Sequence, residues 1–300
     1  MNVKIVEVGP RDGLQNEREI VPTPIKIELI NRLGASGIQQ IEATSFVNPK
    51  WIPQLADAVA VLRGIDRQPG ASYSALVPNL RGWERAKETR LQQIAVFMSA
   101  SESHNQKNIN KTIADTYPVL AEVANAALEQ GIPVRGYVST VFGCPYEGDV
   151  PIANSLKVAE ALFAMGIEEV SIGDTIGVAT PKQVREKFSA LVNEFSPNRL
   201  AAHFHDTRGT GLANVVAALE AGIRTFDSSI GGLGGCPYAP GAAGNISTED
   251  LVYMLEGMGY HTGVDLEQLL EAGAYIQQHL GRTLPSKMLQ AHLAAKGESA

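Results

Sequence analysis

One strand–loop–helix unit is visible at residues 200–222, which read LAAHFHDTRGTGLANVVAALEAG. We predict a strand over Leu200–His205 and an amphipathic helix over Gly211–Ala221. Successive side chains of a strand point to opposite faces, so His203 and His205 lie on the same face. Imidazole is the commonest neutral metal ligand near pH 7, and two imidazoles on one face would form half of a metal site. Alternatively, the two side chains belong to the core or face solvent.

The same unit repeats along the whole chain. Further strands are predicted at Lys4–Val8, Gln39–Thr44, Ser72–Val77, Gln93–Ser99, Pro133–Thr140, Glu169–Gly173 and Thr225–Ile230. Further helices are predicted at Pro24–Gly34, Pro53–Arg63, Leu80–Thr89, Ile113–Gln130, Pro151–Met165, Pro181–Phe195, Thr248–Leu255 and Leu266–Leu280. Strands that alternate with helices imply parallel pairing through strand–helix–strand units.

The number of units distinguishes a closed barrel from an open sheet. Eight strands are predicted, and no Gly-x-Gly-x-x-Gly follows the first of them. We therefore expect an α/β fold, a (β/α)8 TIM barrel with extra C-terminal helices. The alternative is an open doubly wound sheet with an appended helical piece. We expect the barrel domain and its C-terminal helices over residues 1–285 and a tail over residues 286–300.

The composition argues against several classes of protein. A formal charge of −7 is unlike that of a nucleic-acid-binding protein, which needs a basic surface. The apolar fraction of 44% suffices for a large core, and we expect no membrane partner, membrane-spanning segment or leader peptide. Only two cysteines occur, Cys144 and Cys236, which is too few for a disulfide framework and fits a cytoplasmic protein.

Functional side chains of such barrels lie at the carboxyl ends of the strands. Closure of the barrel places strand eight beside strand one, so strands six, seven, eight, one and two form one continuous arc. The candidates on this arc are Arg11, Asp12, Glu42, Asp174, His203, His205 and Asn245. Polar side chains placed at random would not gather in this way, and we therefore predict a functional metal site.

Four of these side chains offer nitrogen or oxygen ligands, and no thiolate is required. They are Asp12, His203, His205 and Asn245. Such a set suits an octahedral Mg²⁺ or Mn²⁺, with Co²⁺ or Zn²⁺ as alternatives, and leaves two positions for substrate oxygens. The ion would polarise those oxygens as a Lewis acid.

The remaining charged side chains on the arc have more than one interpretation. Arg11 carries a permanent charge and planar donors, so it can stabilise an enolate or a carboxylate oxygen. The alternative for Arg11 is a structural salt bridge, for example to Glu42. Glu42 and Asp174 are candidates for acid–base chemistry, although we favour a role in orienting Arg11 and metal-bound water.

Cys236 is a further candidate for proton transfer. Gly occupies four of the five positions before it, which predicts a mobile loop that carries the thiol over a substrate. A thiol with a shifted pKa can transfer a proton, whereas the alternative is an inert small side chain. Cys144 begins the same Cys-Pro-Tyr tripeptide, and we predict a structural role for it.

Long motifs are spread over nearly the whole chain. They are VEVGPRDGLQNE at 6–17, SFVNPKW at 45–51, GCPYEG at 143–148, GDTIG at 173–177 and GLGGCPYA at 232–239, followed by Asn245 and TEDL at 248–251. In these motifs the sequence resembles the 3-hydroxy-3-methylglutaryl-CoA (HMG-CoA) lyase family of the DRE-TIM metallolyase superfamily. The motifs are long, so this resemblance is much more specific than a His-x-His pair alone.

The resemblance implies a metal-dependent lyase that cleaves HMG-CoA to acetoacetate and acetyl-CoA in retro-Claisen fashion, at the end of leucine degradation. It implies a homodimer and a divalent cation, Mg²⁺ or Mn²⁺. The metal-binding positions of the family match Asp12, His203, His205 and Asn245. Its catalytic positions match Arg11, Asp12, Glu42, Asp174, His203 and Cys236. We expect His203 to accept the hydroxyl proton and Cys236 or water to protonate the enolate.

The substrate class implies further contacts at the barrel mouth. Candidates to bind the phosphates of coenzyme A are Arg18, Lys50, Lys107 and Lys111. Arg208 stands where the family usually has Tyr. If it faces the mouth, it can pair with a substrate carboxylate and alter the preferred acyl group; the alternative, which we favour slightly, is that it faces solvent. The alternatives are therefore a related lyase such as a citramalyl-CoA lyase, an acyl-CoA-condensing synthase, or a non-catalytic CoA-binding barrel.

Overall fold

Parallel strands close into a barrel, which confirms the predicted TIM-barrel fold. A computed structural model describes residues 1–235 and 244–297. The strands are β1 Lys4–Glu7, β2 Gln40–Ser45, β3 Ser72–Leu76, β4 Gln93–Ser99, β5 Val134–Ser139, β6 Glu169–Asp174, β7 Leu200–Phe204 and β8 Thr225–Ser228. Each strand pairs with the next in sequence, and β8 pairs with β1 to close the barrel.

Helices follow the strands and surround the barrel. They are α1 Thr23–Ala35, α2 Ala58–Gly64, α3 Leu80–Ala86, α4 Glu102–Ile109, α5 Ile113–Leu128, α6 Ile152–Ala164, α7 Pro181–Glu194, α8 Gly211–Glu220, α9 Thr248–Gly257, α10 Leu266–Leu280 and α11 Lys287–Ala295. Polar N-cap residues define several of their starts; Thr180, for example, forms a capping box with Gln183 at α7. In the described ranges, no helix is both long and apolar enough to cross a membrane.

The strands are buried on both faces, because helices cover the outside and side chains fill the inside of the barrel. Every residue of β2 and of β6 is buried. The barrel interior also contains an ion network, in which Arg135 Nε donates to Glu169 Oε1 at 2.8 Å and Arg135 Nη2 to Asp227 Oδ1 at 2.7 Å. A buried guanidinium is tolerated there because carboxylates accept its hydrogen bonds.

Five strands end earlier than the sequence predicts, and tight helical turns directly follow two of them, β1 and β8. β1 ends at Glu7 and leads into a single π-helical turn, Gly9–Gly13, whose Arg11, Asp12 and Gly13 amides donate to the Val8 carbonyl. β8 ends at Ser228 and leads into a 3-10 turn, Ile230–Gly232. Both turns lie at the carboxyl end of the barrel, directly after their strands.

Several helical segments differ from the prediction within the barrel; the helix predicted over Leu80–Thr89, for example, is divided into α3 and a 3-10 turn, Lys87–Thr89. α4 is absent from the predicted helices, because Glu102–Ile109 is polar and lacks apolar periodicity; it begins where Ser101 Oγ accepts from the His104 amide at 3.1 Å. The helix predicted over Pro53–Arg63 is divided into a 3-10 turn, Pro53–Leu55, and α2.

The segment predicted as a tail, residues 286–300, instead contains α11. Ser286 caps this helix at the Leu289 amide, and Leu289 and Leu293 are buried. Helix α11 packs against α9 and α10. Helix α11 therefore has the buried side chains of a folded segment, and the domain boundary at residue 285 stays a prediction.

The turn after β1 is fixed by the buried carboxylate of Glu7. Its Oε1 accepts from the Gly9 amide at 2.7 Å and from the Ile230 amide at 2.9 Å, and its Oε2 accepts from Thr248 Oγ1 at 2.6 Å. A Cβ atom at Gly9 would lie 2.6 Å from Glu7 Oε1, so only glycine fits there. Glu7 thereby connects the start of the π-helical turn with the turn after β8.

Candidate active site

Asp12, His203 and His205 meet at the carboxyl end of the barrel. One potential ligand atom of each lies within 4.8 Å of the others, and the two imidazole centroids are 5.2 Å apart. His203 lies in β7 and His205 directly after it, whereas Asp12 lies in the π-helical turn after β1. Three of the four ligand candidates from the sequence are thus close enough to share one cation.

Asn245 reaches this cluster from the segment after β8. Its backbone forms an antiparallel bridge with His205, and its Nδ2 donates to Asp12 Oδ2 at 2.8 Å. Asn245 Oδ1 and His205 Nδ1 are buried and lack hydrogen-bond partners in the described part of the chain. Buried polar atoms without a partner are costly, and a cation would supply one. The donor set therefore fits a divalent ion with nitrogen and oxygen ligands.

The protonation states in the cluster suit a cation. Burial raises the pKa of Asp12, but the charges of Arg11 and of the two imidazoles outweigh this effect and lower it to about 2. Burial, with a contribution from His203, lowers the pKa of His205 to about 4. At neutral pH Asp12 is thus ionised and His205 is neutral, as metal ligands must be.

The Arg11 guanidinium lines the cavity described below and is held by carboxylates. Its Nε donates to Glu42 Oε1, and its Nη1 donates to Asp12 Oδ1 at 2.6 Å. The Tyr137 hydroxyl donates to Glu42 Oε2 at 2.8 Å, and the Arg11 Cζ atom lies 5.4 Å from the centroid of the Tyr137 ring. Glu42 therefore has the position that the orienting interpretation requires.

His203 contacts a second buried carboxylate. Its Nδ1 lies 3.2 Å from Asp227 Oδ2, which also accepts from Ser171 Oγ at 2.7 Å. Burial raises the pKa of Asp227, but the charge of Arg135 outweighs this effect and holds it well below its usual range. An ionised carboxylate can only accept hydrogen bonds, so His203 Nδ1 is the donor in this contact.

Asp174 ends β6 and accepts two backbone hydrogen bonds. The Val178 amide donates to Oδ1 at 2.9 Å and the Ala179 amide to Oδ2 at 3.0 Å. Burial raises its pKa to about 6 in spite of these bonds. Asp174 is not among the residues that line the cavity, so its geometry favours the shaping of the loop after β6 over direct contact with substrate.

A cavity of about 840 Å³ opens at the cluster, and Arg11, Asp12, His203 and His205 form part of its lining. Another part of the lining, which we call the outer wall, combines apolar and basic side chains. The outer wall consists of Phe46, Leu76, Phe97, Arg81, Arg85 and Lys111. Such a combination suits a ligand with an apolar chain and anionic groups.

Only one of the four candidates for coenzyme A contacts lines this cavity. Lys111 does so, whereas Arg18, Lys50 and Lys107 are exposed and do not. The sequence identifies basic residues in loops near the mouth but not the side to which each points. Arg81 and Arg85 line the cavity from α3 and were not predicted, since the sequence analysis assigned them only to a helix.

The other candidates from the sequence lie away from the cluster or outside the described residues. Cys144 is buried, and its Sγ accepts from Ser101 Oγ at 3.0 Å, as a structural residue would. Cys236 falls in 236–243, outside the described residues. Arg208 Nη1 donates to the carbonyls of Ile176 at 3.0 Å and Gly177 at 2.8 Å and does not line the cavity. This geometry disfavours a contact between Arg208 and a substrate carboxylate.

The arrangement can be compared with known proteins. The model of the HMGL-like family matches residues 2–276. The chain belongs to the HMGL-like family. It is 56% identical over 288 residues to hydroxymethylglutaryl-CoA lyase YngG of Bacillus subtilis, a match that covers 96% of both chains. It is 53% identical over 289 residues to the mitochondrial hydroxymethylglutaryl-CoA lyase of Bos taurus, which covers 96% of this chain and 89% of that protein.

Solved structures of this family have the same fold. The crystal structure of the Bacillus subtilis HMG-CoA lyase matches with a TM-score of 0.96 and 55% identity, over 97% of this chain and 98% of that one. An HMG-CoA lyase from Acinetobacter baumannii, solved in complex with coenzyme A and 3-methylmalate, matches with a TM-score of 0.92 and 42% identity. That match covers 100% of this chain and 96% of the other.

Several residues that shape the site of this HMGL-like chain were missed from the sequence. They are Arg135, Tyr137, Ser171 and Asp227. All four lie within strands, whereas the prediction concentrated on residues at the carboxyl ends of strands and in the loops that follow. The available signal was an arginine in the buried strand VRGYVS and an aspartate in the buried strand TFDS, because a charge inside a barrel needs a partner.

Proposed function

We infer that the chain is a hydroxymethylglutaryl-CoA lyase, which cleaves HMG-CoA into acetoacetate and acetyl-CoA. The observation that carries this inference is the Asp12–His203–His205 cluster, joined by Asn245 and open to a cavity with an apolar and basic outer wall. Family membership supports the substrate, since relatives at 50–56% identity over nearly the full chain have this activity in their names.

We propose that Asp12, His203, His205 and Asn245 hold a divalent cation. Bound there, the cation would act as a Lewis acid on the substrate oxygens. Mg²⁺ or Mn²⁺ is the proposed ion, because the donor set contains a carboxylate, an amide and two imidazoles and no thiolate. The residues of the chain then have to orient the acyl group, stabilise negative charge, remove the hydroxyl proton and supply a proton to the enolate.

The reaction begins when a base accepts the proton of the tertiary hydroxyl group. The bond between C2 and C3 of the acyl group breaks, C3 becomes the ketone carbon of acetoacetate, and the bonding electron pair forms the enolate of acetyl-CoA. Arg11 is proposed to stabilise the enolate oxygen, because its guanidinium lines the cavity while Glu42 and Asp12 fix its orientation. Addition of a proton at C2 then gives acetyl-CoA.

Cys236 is proposed to donate this last proton. Its support is the sequence of the glycine-rich segment before it and its position between the cavity-lining Gly235 and the ligand candidate Asn245. A thiol whose pKa lies close to neutral transfers protons readily at neutral pH.

The outer wall is proposed to bind the coenzyme A part of the substrate. Arg81, Arg85 and Lys111 would meet phosphate groups, and Arg85 is held over the Phe46 ring, with its Cζ 5.4 Å from the centroid. The apolar residues of the wall would contact the pantetheine chain.

The cellular setting is proposed from indirect observations. Acetoacetate and acetyl-CoA as products suit the end of leucine degradation. The cytoplasm is supported by the small number of cysteines, of which the described Cys144 is free. A homodimer is supported by the family resemblance, and sedimentation of the purified chain would test it.

A panel of CoA thioesters tests the activity. We expect acetyl-CoA release from HMG-CoA in the presence of Mg²⁺ or Mn²⁺, its loss after EDTA treatment, and its return when either ion is added back. Citramalyl-CoA and a longer 3-branched glutaryl-CoA serve as the competing substrates. Faster cleavage of either competitor would contradict the proposed substrate.

A further inference from the structure

The two histidines of the cluster differ in their surroundings. His203 Nδ1 lies 3.2 Å from Asp227 Oδ2, whereas His205 Nδ1 has no hydrogen-bond partner in residues 1–235 and 244–297. An imidazole whose Nδ1 donates to a carboxylate carries its proton on that nitrogen and offers only Nε2 to a ligand. The tautomer of His203 is therefore determined by its neighbour, and that of His205 is not.

Asp227 is itself held from three adjacent strands. Arg135 in β5 donates from Nη2 to Asp227 Oδ1 at 2.7 Å, and Ser171 in β6 donates from Oγ to Oδ2 at 2.7 Å. His203 in β7 is paired in register with Asp227 in β8. All of these side chains are buried, with Asp227 completely inaccessible. The carboxylate therefore cannot rotate away from His203 without losing its other partners.

The guanidinium of Arg135 stabilises Asp227 as a carboxylate, which can only accept hydrogen bonds. Arg135 also donates from Nε to Glu169 Oε1 at 2.8 Å, and Lys4 Nζ donates to Glu169 Oε2 at 2.8 Å. The charges of Asp227 and Glu169 are thus balanced below the cluster by the buried Arg135 and by Lys4, which is partly exposed. This balance allows a negative charge to remain beside His203 in a region closed to water.

We propose that Asp227 is a positioning residue that holds His203 as an Nε2 metal ligand. With Nδ1 engaged by Asp227 and Nε2 by the cation, His203 has no nitrogen left to accept the hydroxyl proton. The inference rests on the proposed metal site. It replaces the role of base that the sequence analysis assigns to His203 by a purely ligating role in the loaded enzyme.

The tautomer can be measured without metal or substrate. Long-range ¹H–¹⁵N correlation spectra of the metal-free chain, labelled with ¹⁵N-histidine, distinguish protonation at Nδ1 from protonation at Nε2. A His203→Gln variant assigns the signal. We expect His203 to be the Nδ1–H tautomer in the wild-type chain. In Asp227→Asn the amide group can face Nδ1 with its NH₂, so the proton should move to Nε2.

Metal affinity provides the second readout. Calorimetric titration with Mn²⁺ should show about 10–100-fold weaker binding for Asp227→Asn, the usual cost of losing a partner of a metal-bound histidine. The matched control is Asp57→Asn, which also removes a carboxylate from a buried cation, Lys26, at an Nζ–Oδ1 distance of 2.8 Å. Asp57 does not line the cavity, so this variant should keep both the affinity and the His203 signal.

Two results would overturn the proposal. They are a wild-type His203 protonated on Nε2, and an Asp227→Asn variant with wild-type Mn²⁺ affinity. If Asp227→Asn fails to fold, Ser171→Ala takes its place, since it removes one donor to Asp227 Oδ2 and should weaken Mn²⁺ binding to a smaller extent. A chain with the expected tautomer and affinity that fails to cleave HMG-CoA would contradict the proposed function and leave the role of Asp227 intact.

Discussion

The two sides of the cavity are built on different principles. On the arc from β6 through β8 to β2, each charged side chain has at least one fixed partner, as Arg11 has Glu42 and His203 has Asp227. On the outer wall, Arg81 and Lys111 are exposed, and apolar side chains line the cavity together with the cations. Fixed charges favour chemistry, because they need no rearrangement as charge develops. Exposed cations favour the binding of a flexible anion, and each of them contributes little.

The largest effect should come from removal of a ligand on the arc. His205→Ala removes a buried imidazole and should lower Mn²⁺ affinity by more than about 10²-fold, beyond the cost of losing only a partner of a ligand. Calorimetric titration measures this. His261→Ala, which truncates an exposed imidazole far from the cluster, is the control. Equal affinity in wild type and His205→Ala would show that the cluster is not the metal site.

Loss of the planar donors of Arg11, with its positive charge retained, should lower the turnover number. Arg11→Lys keeps the positive charge but removes the planar donors that contact Glu42 and Asp12. We expect kcat to fall by about 10²-fold or more, the scale of one lost oxyanion donor, with an unchanged circular dichroism spectrum. Near-normal turnover would mean that Arg11 only forms a structural salt bridge. The difference drawn between the arc and the outer wall would then not hold for Arg11.

The two cysteines offer a matched pair of substitutions. Cys236→Ser raises the side-chain pKa far above that of a thiol, so we expect kcat to fall by about 10²-fold, the scale of general acid catalysis, with KM nearly unchanged. Cys144→Ser replaces a buried thiol that accepts from Ser101 Oγ at 3.0 Å, and it should be nearly silent. The reverse pattern would exclude Cys236 as the proton donor.

On the outer wall a single substitution should have a modest effect on binding alone. Lys111→Ala should raise KM for HMG-CoA by at most about fivefold and leave kcat unchanged, since an exposed ion pair contributes about 1 kcal/mol or less. Lys107→Ala is the control, because Lys107 is also exposed but does not line the cavity. A fall in kcat for Lys111→Ala would mean that the outer wall takes part in the chemistry.

A separate effect concerns the stability of the fold below the arc, not binding or turnover. Burial raises the pKa of Glu7 to about 7 and that of Glu249 to about 8. Between pH 6.5 and 8.5 the folded chain therefore binds more protons at these groups than the unfolded chain, and its stability falls as pH rises. We expect a loss of about 2–3 kcal/mol in the unfolding free energy of the metal-free chain.

Denaturant unfolding at the two pH values measures this loss. Glu249→Gln should make it smaller, because the amide does not titrate, whereas Glu88→Gln on the surface should leave it unchanged. Stability that rises over this interval would contradict the burial of uncharged carboxyls between β1 and β8.

The sequence predicts the fold because alternating strands and helices allow few topologies. It also predicts Arg11, Asp12, His203 and His205 as neighbours, since closure of the barrel brings their strands to one side. It does not predict α4, whose start depends on a Ser101 cap, or α11, whose Leu289 is buried only against other helices. Helices of this kind depend on tertiary contacts that a local pattern does not contain.

The residues that hold the side chains of the candidate site in place are harder to predict than those side chains themselves. Tyr137 and Asp227 lie within strands; Tyr137 in β5 contacts Glu42 in β2 across the barrel interior, and Asp227 in β8 contacts His203 in the neighbouring β7. The alternating pattern of a strand predicts the face on which a side chain lies, but it does not predict which side chain of another strand contacts it there. For the same reason Arg18 was a reasonable candidate for the mouth, although its side chain does not line the cavity.

The contact between Asp12 and Asn245 has a consequence for biosynthesis, since it joins residues 233 positions apart. A ribosome that adds about 5–20 residues per second needs roughly 10–50 s to extend the chain from the first residue to the second. During this time the nascent chain contains Asp12 and lacks the amide that meets it. The proposed ligand set is therefore complete only after translation has passed Asn245, and chains that terminate earlier should accumulate without metal.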